Sequence, residues 1–442
     1  MSQPRWLYRY RRAKIRLITR LLDHYVRQVR RTHGLTVIAV TGTIGKTSAK
    51  MAIAELLATK HVLWVEPKNH NSDRAVRLTF FGLEFPNHSR WLLRWVPVLW
   101  RVHRRSQNFP YRYVVLELAE SRQRSLQQFV AELQPEIGVV TAVSPVHLSY
   151  FSTYDRVIEA VWSLATACQT IVFNADFRDL VSYAERTDGP IMSYGLRSGD
   201  VRINGVRRTS KGLRAELQMP NADRQAIQTQ LVARQSLYSV AAAAAVAHVL
   251  GWNPREIAAS ASNLQPVPGR MRPMKGINNA LLLDDCFNAS PMSMQAALET
   301  LASYPGKKIA VLGSMNELDQ ETRAAHAQVG RQVAQVADEL IVIGEAARNY
   351  LAPAARRAGM ASRRIHAFDR ANQCGEVLRS LITPKSTVLF KGSQGNVYVE
   401  EAMKFVLADP LQADSELIRQ HGSWRHRKRG FFTELGQQET SV

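Results

Sequence analysis

The chain of 442 residues is long enough for two or three domains, and its 45% hydrophobic and 21% charged residues exclude a largely disordered protein. The formal net charge of +21 favours anionic partners such as nucleotides, nucleic acid or an acidic membrane surface. Three widely spaced cysteines without a CxxC pair argue against a zinc site or a disulfide framework, and fit a reducing compartment.

Residues 1–33 predict a basic amphipathic helix. They carry ten arginines or lysines against one acid, Asp23, and their apolar residues recur near helical spacing. This segment lacks the apolar run and the cleavage site of a signal peptide, and no stretch of the chain reaches the roughly 18 apolar residues of a membrane span. We therefore expect a cytoplasmic protein.

From Leu35 onwards, strand-like and helix-like segments alternate, which predicts an α/β protein with parallel sheets covered by helices. The strand-like segments are LTVIAV, YVVLELAE, IGVVTAV, TIVFNAD, KKIAVLG, ELIVIG and STVLFKG. A polar stretch from 189 to 230 indicates a β excursion, and the prolines and Gly269 of LQPVPGR indicate a hinge. We expect a basic helical segment at 1–33, a P-loop-type parallel sheet domain at 34–265, a Rossmann-like α/β domain at 266–410 and a basic tail at 411–442.

The segment TGTIGKTS lies between a buried-type strand and a helix and predicts a phosphate-binding loop. Two glycines allow a tight backbone turn, so that amide N–H groups and the helix N-terminus face phosphate oxygens. We expect Lys46 to reach the β- and γ-phosphates and the Thr47 hydroxyl to hold Mg²⁺. The loop is shorter than the general GxxxxGK[ST] pattern, and a glycine-rich turn with a capping threonine is the alternative. The residues expected at the nucleotide are Gly42, Thr43, Gly45, Lys46, Thr47 and Ser48.

TGTxGKTS after a strand resembles the phosphate-binding loop of the Mur ligases, which use ATP to join a carboxylate to an amine through an acyl phosphate. Within that family the chain is most similar to the ligases that add D-alanyl-D-alanine to the UDP-muramoyl tripeptide. The resemblance implies ATP and Mg²⁺ as cofactors. It also implies a peptide ligase that adds a D-Ala-D-Ala-like dipeptide or an amino acid to a peptidoglycan-type precursor. The collinear segments that carry it are KNHNSD, VVLELAES, PEIGVVTAVSPVHLSYFST, VFNAD, PGRM, DDCFNASPMSM, VLGSMNEL and VLFKGSQ.

The resemblance also implies roles for single residues. Glu117 corresponds to an acid that binds a second Mg²⁺ and His147 to a metal-binding histidine, and both follow strands whose carboxyl ends meet at one sheet edge. A solvated strand-end acid is the alternative for Glu117, and a capping or buried histidine is the alternative for His147. Asn69 and Asn71 resemble a polar loop that faces the substrate, where an ordinary turn is the alternative. Beyond the predicted hinge, four residues resemble groups that close over the nucleotide or the substrate. They are Arg270, Asp285 and Asn288 for the nucleotide and Lys391 for the substrate. A purely structural role is the alternative for each.

The chain departs from the family in three ways. Only about 33 residues precede the first strand, where the family has a domain that binds the UDP end of the precursor, so we expect a different grip on the precursor. Fourteen residues after His147 stands Val161, where most relatives carry a lysine that becomes carbamylated and binds the second metal. We therefore expect that metal site to be weakened or absent. The family's G-x-H-N-x-x-N is ARQSLYS here, at 233–239.

Two other functions stay open. A Mur-like ligase for another polymer, of the poly-γ-glutamate or cyanophycin type, also lacks a UDP-binding domain. A non-catalytic ATP-binding relative is favoured by Val161 and ARQSLYS, and disfavoured by the intact loop. No recognition motif accompanies the positive charge, so we expect no nucleic-acid partner. We expect a monomer whose basic segments, 1–33 and 90–105, either contact an anionic membrane or only cap the sheet.

Overall fold

A computed structural model shows an α/β protein built on two largely parallel sheets. It describes residues 5–66, 77–78, 80–83, 95–118, 130, 133–144, 151 and 153–433. The predicted fold class is confirmed. In the described part of the chain, no helix is both long and apolar enough to cross a bilayer.

The first sheet has nine strands in the order β2-β3-β1-β4-β5-β6-β7-β8-β9. Strands β1 to β7 pair in parallel, whereas β7, β8 and β9 pair antiparallel, which confirms the predicted β excursion. In chain order its elements are α1 (Arg5–His33), β1 (Thr36–Thr41), α2 (Lys46–Ala58), β2 (Leu63–Val65), α3 (Val96–Gln107), β3 (Tyr113–Glu117), β4 (Ile137–Val140), α4 (Tyr154–Ala165), β5 (Thr170–Asn174), α5 (Arg178–Ala184), β6 (Ile191–Gly195), β7 (Val201–Thr209), β8 (Gly212–Gln218), β9 (Gln225–Thr229), α6 (Leu237–Val249) and α7 (Pro254–Ser262).

The second sheet has six strands in the order β10-β11-β15-β12-β13-β14, parallel except for β10. Its elements are β10 (Arg272–Lys275), β11 (Leu281–Asp285), α8 (Pro291–Ala302), β12 (Lys308–Gly313), α9 (Thr322–Val333), β13 (Glu339–Ile343), α10 (Ala352–Arg357), β14 (Ile365–Phe368), α11 (Gly375–Leu381), β15 (Thr387–Lys391), α12 (Glu400–Met403), α13 (Ala413–Glu416) and α14 (Gly422–Thr433). The predicted basic tail therefore contains helices.

Helix packing explains the sequence patterns. The alanine-rich α6 packs on α2, and nine of its residues are buried because small side chains let the two helices approach closely. Helix α1 buries one apolar face against the first sheet, which confirms the predicted amphipathic helix. The short strands β2, β10, β11 and β14 were not predicted, since three to five residues carry too little periodicity.

Candidate active site

The predicted phosphate-binding loop connects β1 to α2 and is fixed by the end of β4. Gly42 has φ +133°, and a Cβ atom at this position would lie 2.2 Å from Thr141 Oγ1 and 3.0 Å from the Ala142 carbonyl oxygen. The Thr43 N–H donates to that carbonyl over 2.7 Å. Only glycine fits position 42, because both the backbone angle and the neighbouring atoms exclude a side chain.

The N-terminus of α2 opens toward the loop. Gly45, at φ +84°, immediately precedes the helix and provides no side-chain cap to its first N–H groups. A helix N-terminus of this kind can bind a phosphate group through its N–H groups and the helix dipole. Lys46 donates from Nζ to the Gly42 carbonyl and so lies across the loop, and Ser48 lines the adjoining cavity.

Glu117 lies beside this loop at the carboxyl end of β3, 5% exposed. Its Oε1 accepts a hydrogen bond from the Thr47 hydroxyl over 3.2 Å, and its Oε2 lies 3.1 Å from Lys50 Nζ. Lys50 also donates to the Glu66 carbonyl over 3.0 Å, and a Glu66 carboxylate oxygen accepts the Glu117 N–H over 2.9 Å. Sequence reasoning missed Lys50 and Glu66, although Lys50 lies one helical turn after Lys46 and Glu66 directly follows β2.

The adjacent hydroxyl and carboxylate oxygens of Thr47 and Glu117 fit Mg²⁺, which prefers hard oxygen ligands. Within the described residues, no group of three or more histidine, cysteine, aspartate or glutamate side chains assembles as a metal site. His147 lies outside those residues. Val161 is fully buried in an apolar cluster with Val140 and Ile158, so this position of α4 offers no metal ligand.

Arg270 joins the two halves of the molecule at this point. Its guanidinium donates to Thr47 Oγ1 over 3.4 Å and lies 3.9 Å from the centroid of the Phe287 ring. Its Nε is buried without a hydrogen-bond partner among the described residues, which leaves a donor suited to a phosphate oxygen. Burial lowers the pKa of Arg270, while the nearby charges of Asp285 and Glu117 act in the opposite direction.

Asp285 and Lys391 form a buried ion pair on the facing sheet. They are register partners at the carboxyl ends of β11 and β15, and Lys391 Nζ lies 2.6 Å from Asp285 Oδ2. Lys391 also donates to the Asn288 carbonyl over 3.0 Å, so Asn288 contacts the ion pair through its backbone oxygen. The neighbouring Asp284, which was not predicted as a site residue, accepts the N–H of Gly269 over 2.8 Å and so connects the predicted hinge segment to β11. Burial raises the pKa of Asp284.

Residues of the loop at 41–48, together with Arg270, Asp285 and Lys391, line one cavity of about 700 Å³ between the two sheets, a size typical of small-molecule sites. The ARQSLYS segment forms part of its wall. Within that segment, the Tyr238 hydroxyl donates to Asp176 Oδ2 over 2.8 Å, and burial and this hydrogen bond raise the pKa of Tyr238 to about 12. Helix α8 forms the opposite wall, which includes Met292, Ser293, Gln295, Ala296 and Glu299.

The structure thus brings together most of the predicted site residues. The loop, Glu117, Arg270, Asp285 and Lys391 lie around the cavity or its edge. Asn69, Asn71 and His147 lie outside the described residues. In the sequence the ARQSLYS segment stands out only as a departure from the family pattern, and the hydrogen bond that joins Tyr238 to Asp176 has no sequence signal.

Comparison with known proteins agrees with this arrangement. The chain matches the Mur ligase middle domain over residues 96–247 and the Mur ligase, glutamate ligase domain over residues 269–394. The chain belongs to the Mur ligase family. The second match begins at the hinge glycine and includes Arg270, Asp285 and Lys391.

Curated relatives of this Mur ligase include the UDP-N-acetylmuramoyl-tripeptide--D-alanyl-D-alanine ligases of Escherichia coli (strain K12) and Synechocystis. The Escherichia coli protein is 30% identical over 317 residues, which cover 70% of this chain and 64% of that protein. The Synechocystis protein is 26% identical over 378 residues, which cover 84% of this chain and 74% of the relative. The chain therefore spans less than two thirds of the length of the Escherichia coli ligase.

Solved structures show the same fold. MurF from Acinetobacter baumannii superposes with a TM-score of 0.71 at 23% identity, covering 87% of this chain and 79% of that one. MurF ligase from Thermotoga maritima in complex with ADP superposes with a TM-score of 0.69 at 24% identity, covering 87% of this chain and 83% of that one.

Proposed function

We propose that this Mur ligase is an ATP-dependent enzyme that forms an amide bond through an acyl phosphate. The observation that carries the proposal is the contact of Arg270 with Thr47, which closes the second domain onto the phosphate-binding loop. The loop N–H groups, the α2 N-terminus, Lys46 and Arg270 then converge on one place. Such preorganised positive groups are what phosphoryl transfer requires.

The proposed reaction has two steps. A substrate carboxylate attacks the γ-phosphorus of ATP, and the bond to the leaving ADP oxygen breaks. An amine then attacks the acyl carbon of the acyl phosphate, loses a proton and releases inorganic phosphate. Lys46, Arg270 and the loop N–H groups stabilise the charge that develops on the phosphoryl oxygens.

Thr47, Glu117 and His147 are proposed to hold Mg²⁺, which neutralises phosphate charge when bound. Because Val161 is buried in an apolar cluster, we propose that the second metal site is weak or absent. The Lys50 ammonium, 3.1 Å from Glu117 Oε2, supplies a fixed positive charge beside that carboxylate. A crystal structure with an ATP analogue that shows two fully occupied magnesium ions would contradict this proposal.

The proposed substrates are a muramoyl-peptide-type carboxylate donor and a D-Ala-D-Ala-like dipeptide or amino acid as acceptor. The names of the curated relatives support this choice. We assign Asn69, Asn71 and Lys391 to the substrate, and Asp285 and Asn288 to the nucleotide side of the cleft. In this scheme the protein is a cytoplasmic monomer, residues 34–265 bind ATP and residues 266–410 close over it.

Phosphate release from ATP tests the proposal. The purified chain is incubated with Mg²⁺, ATP and panels of UDP-muramoyl peptides, D-Ala-D-Ala and acidic amino acids. Stimulation by a muramoyl tripeptide together with D-Ala-D-Ala supports the proposed reaction. Stimulation by acidic amino acids alone would favour a ligase for another polymer. Nucleotide binding without turnover on any panel would favour a non-catalytic ATP-binding relative. That function is the second candidate because the ARQSLYS segment, which departs from the family pattern, forms part of the cavity wall.

A further inference from the structure

The exposed side of α1 carries positive charge. Opposite its buried apolar face, Arg16, Arg20 and Arg31 are exposed. The helix contains one acid, Asp23, which is 9% exposed and pairs with Arg77. Helix α3 contains no acid, and it exposes arginines of its own.

Large apolar side chains protrude between these arginines. Leu17 is 52% exposed on α1, and Val96 and Trp100 are 60% and 56% exposed on α3. The guanidinium of Arg104 lies 5.1 Å from the centroid of the Trp100 ring. Solvent exposure of such side chains is unfavourable, and several of them on one surface are typical of an interaction site.

Contacts between α1 and α3 place these side chains at the same end of the helix pair. The Tyr25 and His103 ring centroids lie 5.8 Å apart, and further along both helices the His33 ring nitrogen lies 3.1 Å from the Ser106 carbonyl oxygen. The two helices therefore run in the same direction. Consequently the earlier residue Leu17 lies toward the end of α3 that carries Val96 and Trp100.

We propose that this surface, defined by Arg16, Leu17, Arg20, Leu21, Val96 and Trp100 and called the α1–α3 face, docks on a bilayer that contains anionic phospholipid. The arginine guanidinium groups attract anionic lipid headgroups, while the leucine, valine and tryptophan side chains enter the membrane–water interface. This combination is typical of peripheral membrane helices. Nucleic acid would match the charge but leaves no role for the protruding Leu17 and Val96. The inference goes beyond the proposed ligase activity.

Sedimentation of the full chain with vesicles tests the α1–α3 face. Vesicles of phosphatidylglycerol and phosphatidylcholine in equal parts are expected to bind the chain, and vesicles of phosphatidylcholine alone to bind it much more weakly. Trp100→Ala is expected to weaken partitioning on the order of tenfold, because it removes one inserted side chain. Arg16→Gln and Arg20→Gln are each expected to weaken it by about fivefold.

Matched controls lie beyond the first sheet, in the C-terminal half of the chain. Leu411, 90% exposed, is replaced by serine, and the exposed Arg323 of α9 by glutamine. Both variants are expected to bind anionic vesicles like the parent. Equal binding by Trp100→Ala and the parent would overturn the proposal, as would equal binding to both vesicle types. Tighter binding to a DNA duplex than to anionic vesicles, unaffected by Trp100→Ala, would assign the surface to nucleic acid instead.

An independent observation concerns the segment after the second sheet. Arg419 is buried, with φ +57°, and its guanidinium bonds both oxygens of Glu400 over 2.8 and 2.6 Å. The same guanidinium donates to the carbonyls of Cys286 and Phe287 over 2.6 and 3.0 Å. It thus fixes the loop whose Phe287 ring lies under Arg270.

We infer that Arg419 is a positioning residue that holds Arg270 against the phosphate-binding loop. Arg419 lies beyond residues 269–394, over which the glutamate ligase domain matches. The connection runs from Arg419 to Phe287 through the backbone, from Phe287 to Arg270 through ring stacking, and from Arg270 to Thr47 through a hydrogen bond. This inference rests on the proposed function, because it assumes that Arg270 acts on bound ATP.

The affinity for ATP with Mg²⁺ tests this inference without knowledge of the substrate. Arg419→Lys retains the charge beside Glu400 but loses the forked contacts, and it is expected to weaken ATP binding about tenfold, as for one charge-assisted hydrogen bond. Combined with Arg270→Lys, it should add little to the effect of Arg270→Lys alone, since both act through the same guanidinium. Arg272→Lys, which changes the ion pair with Glu416 nearby, is the control and should bind ATP like the parent.

Thermal unfolding confirms that each variant is folded. If Arg419→Lys does not fold, Phe287→Leu removes the ring under Arg270 and provides the same test. Full additivity with Arg270→Lys, or parent-like affinity of Arg419→Lys, would overturn the inference. A parent chain that binds no ATP would contradict the proposed function instead.

Discussion

Arg270 donates a hydrogen bond to the hydroxyl of Thr47 over 3.4 Å, although 223 positions separate the two residues in the chain. Arg270 directly follows Gly269 of the predicted hinge, and Thr47 lies in the first turn of α2. A contact between the two halves of the molecule is thus made at the place where phosphate is expected. Motion about the hinge would make or break it, as in enzymes that close over their substrates.

Removal of the Arg270 guanidinium should impair turnover more than folding. We expect Arg270→Ala to lower kcat by about 10²- to 10³-fold, the range seen when one donor to a transition-state oxyanion is lost. Steady-state phosphate release, measured with the substrates that stimulate the parent chain, reports this effect. Arg272→Ala, two residues further along, is the control, and turnover within about twofold of the parent is expected for it because its partner Glu416 lies outside the cavity. Equal losses in the two variants would contradict a specific role for Arg270.

Gly42→Ala should abolish nucleotide binding. The added Cβ would lie 2.2 Å from Thr141 Oγ1, so the loop must move away from β4. Gly189→Ala is a matched control, since Gly189 also has a left-handed φ of +112° but no atom within 4 Å of an added Cβ. We expect that control to lose about 1 kcal/mol of stability from backbone strain and to retain its affinity for ATP. Calorimetric titration with ATP and Mg²⁺ distinguishes the two variants, and parent-like binding by Gly42→Ala would be inconsistent with the loop geometry.

Lys50→Met should strongly destabilise the fold. Lys50 is 2% exposed and Glu117 is 5% exposed, so the substitution leaves a buried carboxylate without its ammonium partner. We expect a loss of about 3 to 5 kcal/mol in the free energy of unfolding, measured by urea denaturation. Lys60→Met breaks the solvent-exposed pair with Glu256, and there we expect little change in the free energy of unfolding. Similar losses for both variants would show that the Lys50–Glu117 pair is not energetically special.

Acidification should destabilise the second domain through His326. Its side chain is buried, its Nε2 accepts the Met315 N–H over 2.9 Å, and burial lowers the pKa of His326 below 6.5. The unfolded chain therefore binds a proton at His326 before the folded chain does, so stability is lost as pH falls below about 6.5. His326→Gln should show a smaller decrease in the free energy of unfolding between pH 8 and pH 5. An identical decrease in parent and variant would exclude His326 as the cause.

The sequence singles out the loop at 41–48, Glu117 and Arg270, because the glycine spacing, the strand end and the predicted hinge each have a local signal. The structure brings these residues together, and their roles in binding remain predictions. Lys50 and Glu66 were not found, since their role depends on β2 lying next to β3, and that neighbour relation has no signature in a three-residue strand. The same limit applies to Arg419, whose contacts with the Cys286–Phe287 loop join segments more than 130 positions apart. The roles of His147, Asn69 and Asn71 remain predictions.

Equilibrium binding of ATP with Mg²⁺ to the full chain tests the central claim most directly, with Lys46→Ala in parallel. We predict one nucleotide bound per parent chain and an affinity at least about tenfold weaker for Lys46→Ala, because the variant loses a positive charge next to the phosphates. A parent chain that binds no ATP, or a Lys46→Ala variant that binds it equally well, would contradict the proposed ligase site.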